Sequence, residues 1–338
     1  MRRTHVIGLF LAAAIVTAVL EVLLKDSAGA SLLLTIAFWK AVSEGAVALA
    51  AVATLTRAKW IAPIRGRLAS LYPVILLTSF LMGLLALKMD LYPWSDSPTW
   101  WMNKWAVLGR NIGLSLILFA LAWRISAEPK GPSGRLTVVM LLVFVVAQTL
   151  FAFDVIMSLE YPWISTLFGG YFFIEALFAG MAVAGMVCFF LLRGGSGAAV
   201  ADIRVTLRDV ATLIFGFSLL WAGMFYSQFL VIWYGNIPEE AGFLVKRLSS
   251  SPIKEMSYAV LGALFFAPFL TLISKRAKSS PAAVFLASLF VICGIFAERV
   301  VFLAPVAGLH PGTLIPEFAL ILLLAVSLIA EVRSAPKG

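Results

Sequence analysis

Charge is what this 338-residue sequence has least of: 13% of its residues are Asp, Glu, Lys or Arg, against 62% hydrophobic. With a mean hydropathy of +1.01, the chain has too little polar surface to hide its apolar residues in one water-soluble core. A helix needs about 20 mainly apolar residues to cross a bilayer. Ten such segments are present, at 5–24, 31–56, 71–89, 105–125, 135–154, 167–192, 210–234, 256–273, 282–304 and 314–331. The expected fold is all-α and polytopic. A β-barrel is excluded, because it would show short alternating segments instead of continuous runs.

Histidine and cysteine are nearly absent, with two copies of each. His5 opens the first segment and His310 precedes the tenth, so nine crossings put them on opposite faces, and they cannot share one haem. Cys188 and Cys293 stand singly in apolar segments without CxxC spacing. That excludes an iron–sulfur cluster or structural zinc built within this chain, and the thiols read as small buried hydrophobes. No Gly-rich phosphate loop, Ser/His/Asp order or hydrophilic domain is visible. ATP-driven transport and ordinary hydrolysis therefore have no machinery here.

The charges that are present are unevenly placed. Of 26 Lys and Arg, 17 fall at the termini or in 57–70, 124–135, 193–209 and 274–281, six fall in the alternate connections, and Lys40, Arg110 and Arg299 lie within segments. This bias places both termini in the cytoplasm. The start, with Arg2 and Arg3, an apolar run and the small residues SAGAS, also fits a secretory leader, but its apolar run is long for one. The net charge of +9 is then mostly topology, and no nucleic-acid partner is implied. Eight of ten tryptophans, among them Trp94, Trp163 and Trp233, fall near segment ends, where amphipathic rings suit the headgroup zone; Trp39 and Trp221 are the deep exceptions.

Ionisable residues inside the hydrocarbon are costly unless paired or wetted, at about 2.5–3.5 kcal/mol or more each at the centre. Glu21, Arg110, Asp154, Glu175, Glu298, Arg299 and Glu317 all fall in the outer parts of their segments, while Lys40 and Glu44 reach nearest the middle. Lys40 and Glu44 share a helix face at i,i+4. They read either as a structural pair or as the inner end of a water-filled path entered from outside. Glu298 and Arg299 pose the same choice, with Asp154 or Glu175 as the reachable partner of Arg299. The expectation is that Lys40, Glu44, Asp154, Glu175, Glu298 and Arg299 converge into an outward-open polar half-channel. A secondary transporter would also carry such charges, but usually with two matching Gly/Pro-interrupted segments.

Four stretches carry a family resemblance: FDVIMSLEYPWISTLFGGYFF from residue 153, LLWAGMFYSQFLVIWYGNIPEE at 219–240, WMNKWAVLGRN at 101–111 and AERVVFLAP at 297–305. Together, over about residues 70–305, they resemble the F subunit of alternative complex III, in the wider NrfD and polysulfide-reductase-C group. The resemblance implies one membrane domain of two four-helix bundles, 31–154 and 167–304, flanked by the helices at 5–24 and 314–331. It further implies a subunit of a quinol:electron-acceptor oxidoreductase in the bacterial inner membrane, embedded in lipid and without a redox cofactor of its own. Its partners would be a periplasmic multihaem cytochrome c, an iron–sulfur subunit and a homologous quinol-binding membrane subunit. The loops 154–166 and 235–254 would be the docking face, and the carboxylates a proton path. A quinol-binding anchor role is the alternative within the group. Relatives more often read Pro-His-Trp where this chain has Tyr161-Pro162-Trp163, and the chain is short for the group. The tripeptide also closes MDLYPW at 89–94, a hint of internal repetition.

Overall fold

The computed structural model describes residues 2–24, 30–127, 134–194 and 198–331, and among these the chain is helical without strands. Ten helices are long and apolar enough to cross a membrane, so the protein is a polytopic all-α membrane protein. Part of the SAGAS stretch, with Lys25, Lys130, Arg333 and Lys337 of the charge count, lies outside the described residues.

In chain order the helices are α1 (Arg2–Leu23), α2 (Ser31–Leu55), α3 (Ala62–Ala69), α4 (Tyr72–Leu84), α5 (Lys104–Ala127), α6 (Gly134–Phe151) and α7 (Leu167–Gly194). They continue with α8 (Ala198–Gly235), α9 (Pro238–Leu248), α10 (Ile253–Leu261), α11 (Ala267–Leu272), α12 (Lys275–Lys278), α13 (Pro281–Leu303) and α14 (Pro311–Glu331). Prolines open several of them: Pro238 and Pro281 sit in the first turn, where a missing N–H has no helical partner to lose. Ser280 caps α13 by accepting from the Ala283 N–H.

Packing sorts the spans into a group of α2, α4, α5 and α6 and a group of α7, α8, α10–α11 and α13, with α1 against α14 at the side. The groups meet along α2 and α7. α2 is buried without a break from Ser31 to Ala51, although Lys40 and Glu44 lie on it. Its contact with α7 is backbone on backbone. A Cβ at Gly45 would lie 1.6 Å from the Ala176 carbonyl oxygen, and one at Gly180 would lie 2.4 Å from the Gly45 oxygen. Small residues permit such an approach, and in a bilayer close packing substitutes for the missing hydrophobic drive between helices.

Besides the single turn of α12 in 274–281, three stretches read as connections hold longer helix. Residues 57–70 contain α3, and residues 198–209 begin α8, which at 38 residues is about 57 Å long. No Gly or Pro interrupts 200–215, so nothing stops the helix at the end of the apolar run. The third, 235–254, holds α9, with Glu239 and Glu240 in its first turn and Lys246 and Arg247 in its last, an arrangement that complements the helix dipole. Helix α9 also explains why Trp163, near the start of α7, is buried: the Phe243 ring of α9 stacks on it at 3.8 Å.

Two π turns interrupt spans. Ala152–Ile156 extends α6 and contains Asp154, and Gly262–Phe266 joins α10 to α11 just before Pro268, whose missing N–H and ring bulk disturb the preceding turn. They fall in the fourth helix of one group and the third of the other, so they are not matching interruptions. The two Tyr-Pro-Trp joints also differ: Tyr92 is buried and Tyr161 exposed. The joints touch each other, since Tyr92 Oη donates to Val155 O at 3.0 Å and Trp94 Nε1 to Ser158 Oγ at 3.2 Å.

Candidate functional site

The intramembrane charges gather toward the end of the molecule that carries α9 and Trp163. Glu175 is the ninth residue of α7 and Glu298 the sixth from the end of α13, each about 8–12 Å from that helix end. Lys40 and Glu44 lie deeper, about 14 and 20 Å along α2 from Ser31.

The six expected site residues form three networks and not one. Lys40 Nζ donates to Glu44 Oε1 at 2.5 Å and to Ser115 Oγ at 2.7 Å, and Gln148 Nε2 donates to Glu44 Oε2 at 2.8 Å. The ammonium and both carboxylate oxygens are thus satisfied, as a buried pair requires. Asp154 takes a bidentate fork from Arg110, Nε to Oδ2 at 2.5 Å and Nη2 to Oδ1 at 2.7 Å, with Asn111 Nδ2 donating at 2.9 Å. Arg110 also donates to Trp101 O at 2.7 Å and lies over the Trp101 ring at 4.2 Å. Of the two partners open to Arg299, the structure uses Glu175: Arg299 Nη2 to Glu175 Oε2 is 2.6 Å. Asp154 is left to Arg110, a residue absent from the expected site because sequence spacing does not reveal which helices face one another.

The Arg299 network is the least satisfied. Its guanidinium, fully buried, stacks over Phe172 at 4.0 Å and lies 3.6 Å from Glu298 Oε2. Tyr171 Oη donates to Glu298 Oε1. Glu175 Oε1, Glu298 Oε2, Arg299 Nε and Arg299 Nη1 have no hydrogen-bond partner. Two of these four, Arg299 Nη1 and Glu298 Oε2, face each other as an ion pair at 3.6 Å, so the cluster is held more by charge than by hydrogen bonds. A cavity of about 350 Å³ reaches this cluster, lined by Glu298 and Tyr171 together with residues of α8, α9 and α10. The other five expected residues do not line it.

Between the Lys40 and Arg299 networks stand two rings. Lys40 Nζ sits 5.5 Å from the Phe151 centroid, Phe151 is 6.4 Å from Phe172, and Phe172 carries Arg299 on its face. Two aromatic rings therefore stand in contact between the two networks.

Two further networks were not legible. Glu21 faces Lys88 at 3.2 Å, and Glu317, close enough to interact with Glu21, accepts from Thr35 Oγ1 at 2.6 Å. Glu160 binds Arg247, with Lys246 at 3.7 Å, tying the 154–166 joint to α9. Arg247 is buried, donates to Phe243 O at 2.9 Å and Phe302 O at 3.0 Å, and lies over Phe243 at 3.6 Å. Burial lowers its pKa, and the Glu160 carboxylate works against that shift. Thus the two loops expected to form one docking face do lie in contact. Among the described residues, no group of three or more His, Cys, Asp or Glu is placed to hold a metal. No family model and no curated protein matches the chain.

Proposed function

We propose that the chain is a membrane subunit of a quinol:electron-acceptor oxidoreductase of the alternative complex III type, in which it supplies a scaffold and one step of proton transfer. In this reading it lies in the bacterial inner membrane with both termini cytoplasmic. Haem and iron–sulfur centres belong to periplasmic partners, and quinol to a related membrane subunit. The resemblance over residues 70–305 supplies the assembly.

One observation carries the proton role: the Glu175–Arg299–Glu298–Tyr171 cluster is buried yet touched by a cavity. Two carboxyls face a single guanidinium, so the cluster is charge-balanced when it holds one proton between them. Releasing that proton leaves one net negative charge buried in the cluster, so each release has to be followed by uptake of another proton. The Lys40–Glu44 pair, balanced one to one and fully hydrogen-bonded, is the structural member of the set. This reading narrows the half-channel expected from the sequence to Glu175 and Glu298.

The assembled complex in liposomes tests it. Glu175→Gln should leave quinol oxidation largely running while lowering protons released per electron, and Glu44→Gln should lower stability with the proton yield unchanged. Equal proton yields in Glu175→Gln and the parent would refute the proton role. The assembly is tested separately by cross-linking from Glu239→Cys on α9, which should capture a haem or iron–sulfur subunit; capture of cytoplasmic proteins alone would refute both the docking face and the orientation.

A further inference from the structure

Glu21 and Glu317 are intramembrane carboxylates that the proton reading leaves unused, and they lie where several helix ends meet. Glu21 is in the last turn of α1, Glu317 about 9 Å into α14, Thr35 about 6 Å into α2, and Lys88 just beyond α4. The His310 N–H donates to Ser31 Oγ at 2.7 Å and the Ala30 N–H to Gly308 O at 2.9 Å, which ties the start of α14 to the start of α2. Thr17, Glu21, Thr35 and Glu317 are each 0% exposed and Lys88 is 3% exposed, so none of them is hydrated from outside.

Lys88 faces Glu21 Oε2 at 3.2 Å, and Thr35 Oγ1 donates to Glu317 Oε2 at 2.6 Å. These contacts leave three buried oxygens without a hydrogen bond: Glu21 Oε1, Glu317 Oε1 and Thr17 Oγ1. Thr17 lies one turn before Glu21 on the same face of α1, and a helical side chain leans back over the turn before it, which directs the Glu21 carboxylate toward Thr17. Thr54, Thr56 and Thr212 each donate to the carbonyl four residues back, whereas Thr17 does not, so its hydroxyl is aimed at the carboxylate and not at its own backbone. The two carboxylates approach to hydrogen-bonding range of each other. Two carboxylates against one ammonium leave one negative charge uncompensated in a buried place, a costly state.

The oxygens select what supplies the missing charge. A divalent ion would leave the site positive, which is as costly as leaving it negative. A proton shared by the carboxylates balances the charge but engages only two oxygens, and the Thr17 hydroxyl stays orphaned. A small alkali cation balances the charge and takes lone pairs from carboxylate and hydroxyl oxygens together, the ligands that hard cations prefer. Thr35 Oγ1 gives its proton to Glu317 and keeps lone pairs for such an ion. We propose that Glu21, Glu317, Thr17 and Thr35 bind one sodium ion between α1, α2 and α14, with Lys88 balancing the second carboxylate. The site shares no residue with the Arg299 cluster, and its binding is read on the isolated chain, so it and the proton role can fail separately.

The test is binding of radioactive Na⁺ to the detergent-solubilised full-length chain at about pH 8, above the ordinary carboxylate range, with choline chloride holding the ionic strength constant. Thermal unfolding in NaCl, KCl and choline chloride runs beside it. One Na⁺ per chain should bind, and K⁺, too large for carboxylates this close, should compete at least about tenfold more weakly. Na⁺ at about ten times its Kd should raise the melting temperature by about 3 °C. Thr17→Val, which swaps an unbonded hydroxyl for a methyl of the same shape, should keep the melting temperature in choline chloride and weaken Na⁺ binding by about tenfold. Glu317→Gln removes the charge that the ion balances and should abolish both binding and the response of melting temperature to Na⁺. No saturable Na⁺ binding, equal competition by K⁺, preference for Ca²⁺, or full Na⁺ affinity in a folded Thr17→Val variant would overturn the proposal. A stability that follows pH alone, without a response to Na⁺, would assign the charge to a shared proton and overturn it as well.

Discussion

Replacing Gly45 by Ala is the sharpest perturbation that the fold offers. The new Cβ would sit 1.6 Å from the Ala176 carbonyl oxygen and 2.4 Å from its carbon. An ordinary C···O approach is about 3.3 Å, so the two backbones must part by about 1.7 Å. Neither can move freely, because α2 is buried from Ser31 to Ala51 on both sides of Gly45 and α7 is held by α8 and α13 on its other sides. Overpacking by one group typically costs about 1–3 kcal/mol, and a clash with backbone instead of a flexible side chain belongs at or above the top of that range. The intrinsic helical advantage of Ala over Gly, about 1 kcal/mol, does not offset it. The assay is denaturant unfolding of the detergent-solubilised protein beside Gly113→Ala, where a Cβ meets nothing within 4 Å. Gly45→Ala should lose about 3 kcal/mol, whereas Gly113→Ala should be neutral or gain up to about 1 kcal/mol. A Gly45→Ala variant within about 0.5 kcal/mol of the parent would refute the close crossing of α2 and α7.

Arg299→Met should cost about 3–5 kcal/mol, because it strands Glu175 and Glu298 without their cation, and adding Glu175→Leu should recover much of that loss; a single-variant loss below about 1 kcal/mol would count against the ion cluster. Tyr92→Phe should lose about 1 kcal/mol at neutral pH with the hydrogen bond to Val155 O. Burial, with the Asp154 charge second, raises the Tyr92 phenol above its ordinary value of 10.0, so its contribution is complete below about pH 10 and is lost as pH rises through the folded value. The parent should therefore lose more stability than Tyr92→Phe between about pH 8 and about pH 11, and identical alkaline slopes would refute this. Arg247→Met should loosen α9 from Glu160 and Phe302, seen as faster proteolytic cutting within 236–252; unchanged cutting would mean that ring stacking alone holds the helix.

How much of this was legible depends on how local each signal is. Helix number and position follow from runs of about twenty apolar residues, a property of contiguous sequence, and the ten spans lie where those runs are. The start of α9 was also written locally, in Pro238 with acids in its first turn and bases in its last, but the reading of 235–254 as a docking loop passed over the helix. That the charges needed partners followed from the cost of burying them. Which partners they have did not: Arg110 finds Asp154 across 44 positions and Arg299 finds Glu175 across 124, because pairing depends on which faces of different helices meet. The contact of Phe151 with Phe172, the closure of α2 onto α7 through Gly45 and Gly180, and the cavity ending at Glu298 are likewise properties of packed surfaces. Sequence alone determined that this chain is dissolved in a bilayer and must neutralise its buried charges, since both follow from transfer free energies of single residues and runs. Only the tertiary structure decided how those charges are divided, because that division is set by close contact between helices far apart in the chain.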